Sequence, residues 1–252
     1  MIIFRVPSSG NNQPTASHHK DYCIQASRLP TRFREQFQPP GLNLSRPSIT
    51  ITLDDNTTAH FDVYEHYLSK GTVCSTTEIM TRRNKSLAQT LGHSITFFNK
   101  PLETRLAPDE ARTDYENLIA CYALGMTLHD RRFQDAVASK IVTMLRASGT
   151  HQSQLIRILT PTAIGTIIDQ YGTESRLFLL LAAAYARFAT VNELNTLVFS
   201  KIHGQFKSHV MNDMATLRVR QHVDGVAAPD FVVSECRFHR HGFYDVCPLR
   251  KL

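Results

Sequence analysis

Cys236, His239, His241 and Cys247 are residues whose types and spacing could hold a metal ion. Zinc takes four thiolate or imidazole ligands in a tetrahedron, and these four stand within twelve residues of one another. A His-x-His pair on an extended strand sends both rings to the same side, which suits a shared ligand. The spacing differs from a two-plus-two finger, and Arg237 and Arg240 would oppose a cation. The same segment also reads as a packing tail anchored by Phe238 and Phe243.

Other sets are thinner. His18-His19-Lys20-Asp21 has the residue types of a proton-transfer cluster, but no nucleophile or phosphate loop stands beside it. At a helix start, Asp21 would instead complement the helix dipole. Cys121 sits beside an apolar stripe and reads as a small buried hydrophobe. Asp54-Asp55 falls where a strand should turn. GxSxG, Walker, GxGxxG and HExxH templates are all missing from the sequence. The expectation is a protein that is not an enzyme.

The chain has 252 residues, enough for one large domain or two small ones. Its 28 basic and 22 acidic residues leave a formal charge of +6. The basic groups are scattered among Arg82-Arg83-Asn84-Lys85, Arg218-Val219-Arg220 and the C-terminal end, so a nucleic-acid surface is the weaker reading. Five cysteines are an odd, sparse set that argues for a reducing compartment. The longest apolar run, Leu177 to Ala186, is too short to span a bilayer. The expected location is cytoplasmic or nuclear.

The elements that must position such residues follow from periodicity and caps. Ile2 to Val6 reads as a short strand, Asp21 to Gln25 and Thr31 to Gln38 as short helices, and Ser48 to Leu53 as a half-buried strand. Phe61, Tyr64 and Leu68 line one face of a helix that should end at Gly71. Residues 72 to 112 hold no period for long and read as an insertion or mobile loop. Tyr115, Leu118, Ile119, Tyr122 and Met126 then recur at helical spacing, as do Phe133, Val137, Ile141 and Met144. Asp130 between them is a candidate N-cap. After Ser148-Gly149-Thr150, four helices are expected at 161–171, 174–189, 191–201 and 206–221.

In order, HHKDYCIQASRLPTRFREQF, SITITLDDNTTAHFDVYEHYLSKG and ENLIACYALGMTLHDRRFQDAVASKI resemble the BTB/POZ domain, and within it fungal-type proteins with a helical C-terminal extension. The shared pattern is a short strand, a His-Lys dipeptide opening a helix, a strand ending in acidic residues, a Phe-x-x-Tyr-x-x-Tyr-Leu-x-x-Gly helix, and the helix pair. The Cys236-Arg237-Phe238-His239-Arg240-His241 run is similar to the Cys-x-x-His-x-His ending of such proteins.

The resemblance implies an α+β fold. A BTB/POZ-like helical cluster flanked by a small β-sheet would occupy 1–147, with the insertion at about 72–112. An all-α extension carrying the Cys/His tail would occupy 148–252. The implied function is protein binding, as an adaptor or scaffold that self-associates or recruits a partner such as a cullin-type ubiquitin ligase. Phe33, Phe37, Phe61, Tyr64, Tyr67 and Leu68 are the candidate partner contacts. Phe33-Arg34-Glu35 fits, weakly, a hydrophobic-x-Glu contact that some members make with cullins. The competing function is a nuclear or chromatin-associated factor with weak nucleic-acid contact through its basic C-terminal part.

Overall fold

The computed structural model describes residues 2–7, 19–25, 28–30, 49–52, 58–90, 108–147, 149–200, 204–224 and 238. They form a mostly helical α+β structure. Three strands, β1 (Ile2–Pro7), β2 (His19–Ile24) and β3 (Ile49–Thr52), make one sheet in the order β2-β1-β3. β1 and β2 are antiparallel with Phe4 opposite Tyr22; β1 and β3 are parallel with Phe4 opposite Ile51. Alternation sets the faces: Phe4, Tyr22 and Ile24 are buried, whereas Arg5, Asp21 and Cys23 point out.

The helix expected over Asp21 to Gln25 is therefore a strand. Five residues cannot close enough helical bonds to stand alone, whereas His19–Ile24 gains a full ladder against β1. Asp21 does not serve a helix dipole. It pairs across the strands with the Arg5 guanidinium, Nε to Oδ1 at 2.9 Å and Nη2 to Oδ2 at 3.0 Å. The His-Lys dipeptide thus opens a strand here. The expected helix at Thr31 to Gln38 lies outside the described residues.

Among the described residues nine helices follow: α1 (Thr58–Lys70), α2 (Thr76–Thr90), α3 (Pro108–Thr127), α4 (Arg131–Ala147), α5 (Gly149–Ile158), α6 (Pro161–Tyr171), α7 (Arg176–Phe188), α8 (Val191–Phe199) and α9 (Gly204–Asp224). None is long and apolar enough to cross a membrane. α1 joins the sheet to the helical cluster through a run of rings. Phe61 lies 5.0 Å from Phe4 and 4.7 Å from Tyr22, and Tyr64 lies 4.8 Å from Phe133 of α4. α1 stops at Gly71, whose φ of +74° is the left-handed position and whose N–H bonds the Tyr67 carbonyl at 2.7 Å.

The stretch expected to be a loop, 72–112, contains all of α2 and the start of α3. Ser75-Thr76-Thr77-Glu78 is a capping box. The Ser75 hydroxyl accepts from the Glu78 N–H at 3.3 Å, and the Glu78 carboxylate accepts from the Ser75 N–H at 2.9 Å. A second cap arrives from α3, where buried Asp114 accepts from the Thr77 N–H at 3.1 Å and the Thr77 hydroxyl at 2.9 Å. Lys140 of α4 then holds Glu78 at 2.7 Å. α2 is polar along most of its length, with Ile79 buried, so no apolar stripe announces it.

The helix pair forms as its periodicity requires. Tyr115, Leu118 and Tyr122 of α3 and Phe133, Val137, Ile141 and Met144 of α4 are buried. Asp130 caps α4 through the Phe133 N–H at 2.9 Å. The elbow is tight: His129 takes a positive φ of 50°, and the Asp130 N–H reaches the Gly125 carbonyl at 2.8 Å. A Cβ on Gly125 would lie 2.9 Å from Cγ of Gln134, so glycine is what lets α4 start so close to α3.

α5, not expected from the sequence, packs Leu155 and Ile156 into the core next to α3 and α4. α7 is apolar nearly all round and sits among α4, α5, α6 and α9. Its Phe178 and Tyr185 meet Phe206 of α9 at 5.6 and 5.8 Å. One hydrophobic core thus runs from the sheet through α9, and Phe238 belongs to it.

Candidate functional site

A cleft of about 600 Å³ opens between the end of β2, α1 and α2. β2 supplies Cys23 and Ile24, and the following turn supplies Gln25 and Arg28. That turn is closed by the Arg28 N–H bonding the Gln25 carbonyl at 2.9 Å, and it is anchored by buried Leu29. α1 supplies Asp62, Glu65, His66, Leu68, Ser69 and Lys70; α2 supplies Ile79, Arg82 and Arg83. Asp62, Glu65, His66 and Ser69 recur at helical spacing, so they form a polar face alongside the one that packs on the sheet.

Asp62 is held from two sides. Its Oδ1 accepts the Tyr22 hydroxyl at 2.8 Å and its Oδ2 accepts from Arg83 at 2.8 Å, tying β2, α1 and α2 together. Burial and this carboxylate push the Tyr22 phenol well above its ordinary range. The cleft wall is therefore cross-braced by three elements.

Behind the wall, Sγ of Cys74 lies 3.2 Å from Nε2 of His66. A cysteine–histidine nucleophile works as thiolate and imidazolium, each lowering the cost of the other. Here the surroundings push the other way. Burial, followed by the Glu78 charge, raises the Cys74 thiol; burial, followed by Arg82 and Lys70, lowers the His66 imidazole. Both shifts favour the neutral pair. Cys74 is buried behind the cleft, and Cys121 is sealed in the core, where burial raises its thiol strongly.

The contacts expected from sequence divide. Phe61 and Tyr64 are 0 % exposed and pack on the sheet and on α4, so they cannot touch a partner. Their spacing is that of a core stripe, and the aromatic rings of Phe4, Tyr22 and Phe133 complete it. Tyr67 and Leu68 are half-buried, and among the described residues Leu68 is the one named contact that lines the cleft. Phe33 and Phe37 lie outside the described residues. So do Cys236, His239, His241 and Cys247; of that tail, Phe238 is described and buried. No metal-holding group of three or more His, Cys, Asp or Glu occurs among the described residues. Arg218 and Val219 are exposed on α9.

Of the other cleft residues, Lys70 ends the helix Phe61 to Lys70 that the sequence offered as a contact surface and Arg82 read as one of the scattered basic groups, whereas nothing singled out Cys23 or Arg28. The capping box at Ser75 would have placed α2, and with it Arg82 and Arg83 on a helix. Nothing local tells that this helix faces β2. Compared with family models, with curated proteins and with solved structures, the chain matches none.

Proposed function

We propose that this protein is a non-enzymatic interaction module of the BTB/POZ kind, an adaptor or scaffold acting in the cytoplasm or nucleus. It takes a segment of a partner protein into the cleft between β2, α1 and α2. The observation that carries the reading is the outer face of α1, where Asp62, Glu65, His66 and Ser69 line a concave space of mixed polarity braced by the Tyr22–Asp62–Arg83 bonds. Such a rigid, partly apolar recess with a few convergent polar groups is what recognition of a side chain needs.

Two further features support it. The order β1, β2, β3, α1, α2 and the elbowed pair α3–α4 keeps the strands, the helix and the helix pair of the pattern on which the resemblance rests, but has a strand where that pattern has the His-Lys helix and adds α2 before the pair. The neutral Cys74–His66 pair suits a structural role better than catalysis. A cullin-type ubiquitin ligase scaffold is the partner class the resemblance favours.

The test fills the recess. Ser69 is exposed on α1, so Ser69→Trp should leave the melting temperature nearly unchanged while occupying the cleft. A photocrosslinker at Leu68 should capture a partner peptide from the wild type, and Ser69→Trp should abolish that crosslink. Undiminished crosslinking in a folded Ser69→Trp protein would overturn the reading.

A further inference from the structure

We propose that the group this cleft receives is a phosphorylated side chain on the partner segment. The inference rests on the cleft being a partner site and names the chemistry it selects.

Four cationic side chains, Arg28, Lys70, Arg82 and Arg83, line the recess against two carboxylates, Asp62 and Glu65. Asp62 is already matched by Arg83 at 2.8 Å. Glu78, the carboxylate one turn before Arg82, is matched by Lys140 at 2.7 Å and by the Ser75 N–H at 2.9 Å. Among the described residues no ion pair involves Arg28, Lys70 or Arg82, and Glu65 is the other carboxylate that lines the cleft beside Asp62. His66, which also lines the cleft, is disfavoured as a cation first by burial and then by Arg82 and Lys70, against the opposing charge of Glu78.

The three cations come from three stretches of chain: the turn after β2, the end of α1 and the middle of α2. Each backbone is fixed by a buried or bonded neighbour, namely Leu29, Gly71 and Ile79. Arg28, Lys70 and Arg82 are exposed side chains of one recess, and donors supplied by three stretches of chain match a tetrahedral dianion with three free oxygens better than a planar carboxylate, which a single guanidinium can satisfy. The volume of about 600 Å³ accepts such a side chain with its flanking residues. Glu65 and Asp62 in the same wall disfavour a polyanion such as nucleic acid or an anionic membrane. They suit one anion with a basic residue beside it.

The experiment uses the full chain and fluorescence anisotropy. The probes are a degenerate phosphoserine peptide library, the same library unphosphorylated, a single-stranded oligonucleotide and phosphatidylserine vesicles. The phosphorylated library should bind at least about tenfold tighter than the unphosphorylated one, and Arg82→Gln and Lys70→Gln should each weaken it about tenfold without changing the melt. Equal binding of the two libraries, or full binding by Arg82→Gln, would overturn the proposal; so would preferential binding of the oligonucleotide or the vesicles. The Leu68 crosslink separates this from the broader reading. If Ser69→Trp abolishes it but Arg82→Gln has no effect on it, the cleft stands as a partner site and the phosphate reading falls. If neither variant matters, both fall.

Discussion

The Tyr64 hydroxyl donates a 3.2 Å hydrogen bond to Oδ2 of Asp130, joining α1 to the N-cap of α4 across 66 positions of sequence. The other carboxylate oxygen of Asp130 accepts the Phe133 N–H at 2.9 Å. One buried acid therefore starts a helix and orients the ring on which α1 rests.

Removing that acid should be costly. Asp130→Ala loses a cap and strands a buried phenol, so a loss of about 2–4 kcal/mol is expected in urea unfolding. Asp130→Asn and Tyr64→Phe should each lose about 1 kcal/mol, and a double-mutant cycle should return a coupling of about 1 kcal/mol. Additive losses would mean that the bond contributes nothing.

Asp130 also sets a pH slope. Burial raises its carboxyl above the ordinary 3.8, against the pull of the Phe133 N–H and the Tyr64 hydroxyl. The folded chain then holds this proton more tightly than the unfolded chain. Its stabilising contribution is complete below the unfolded value and is lost as pH rises through the raised folded value. The stability difference between wild type and Asp130→Asn should therefore move against the wild type as pH rises from about 3.5 to about 7, measured by urea midpoints. A flat difference would contradict the burial argument.

Glu78 should be worth more than an exposed acid, because it caps α2 and holds Lys140 in a half-buried pair. Glu78→Ala should destabilise by about 2–3 kcal/mol and Glu78→Gln by about 1 kcal/mol, since glutamine keeps an acceptor for the Ser75 N–H. Added salt should narrow the gap between wild type and Glu78→Gln, read by thermal melts at low and high ionic strength.

Three glycines should respond differently to alanine. Gly71→Ala forces a Cβ into a left-handed position and should cost about 1–2 kcal/mol. Gly125→Ala pushes on Gln134 and Phe133 and should cost about 1–3 kcal/mol despite its better helix propensity. Gly165, inside α6 with open space around it, should gain up to about 1 kcal/mol as alanine. Equal effects at the three sites in chemical unfolding would show that propensity alone governs them.

Thiol chemistry should follow burial. Native protein treated with iodoacetamide should be alkylated at Cys23, which is exposed on the outer face of β2, while Cys74 and Cys121 react after unfolding. Peptide mass spectrometry resolves the three. Fast native labelling of Cys74 would mean that the His66 pair is a thiolate pair after all.

The helix pair was legible because its information is local. A stripe repeating every three or four residues, an aspartate at the elbow and a glycine ending α1 all act within a turn or two of themselves. The buried state of Cys121 followed from the same stripe.

What lay beyond reach depended on groups far apart in the chain. His19 to Ile24 carries a period-two pattern too short to decide between helix and strand, and β1 decided it. α2 has no apolar stripe, and its start is held by Asp114 and Lys140 from two later helices. The aromatic spacing of Phe61 and Tyr64 was plain in the sequence, but whether that face met a partner or a core was not. The sheet answered it by placing Phe4 and Tyr22 against Phe61. Periodicity tells which side of a helix is apolar; only the tertiary structure decides what covers that side and which polar face is left to line a cleft.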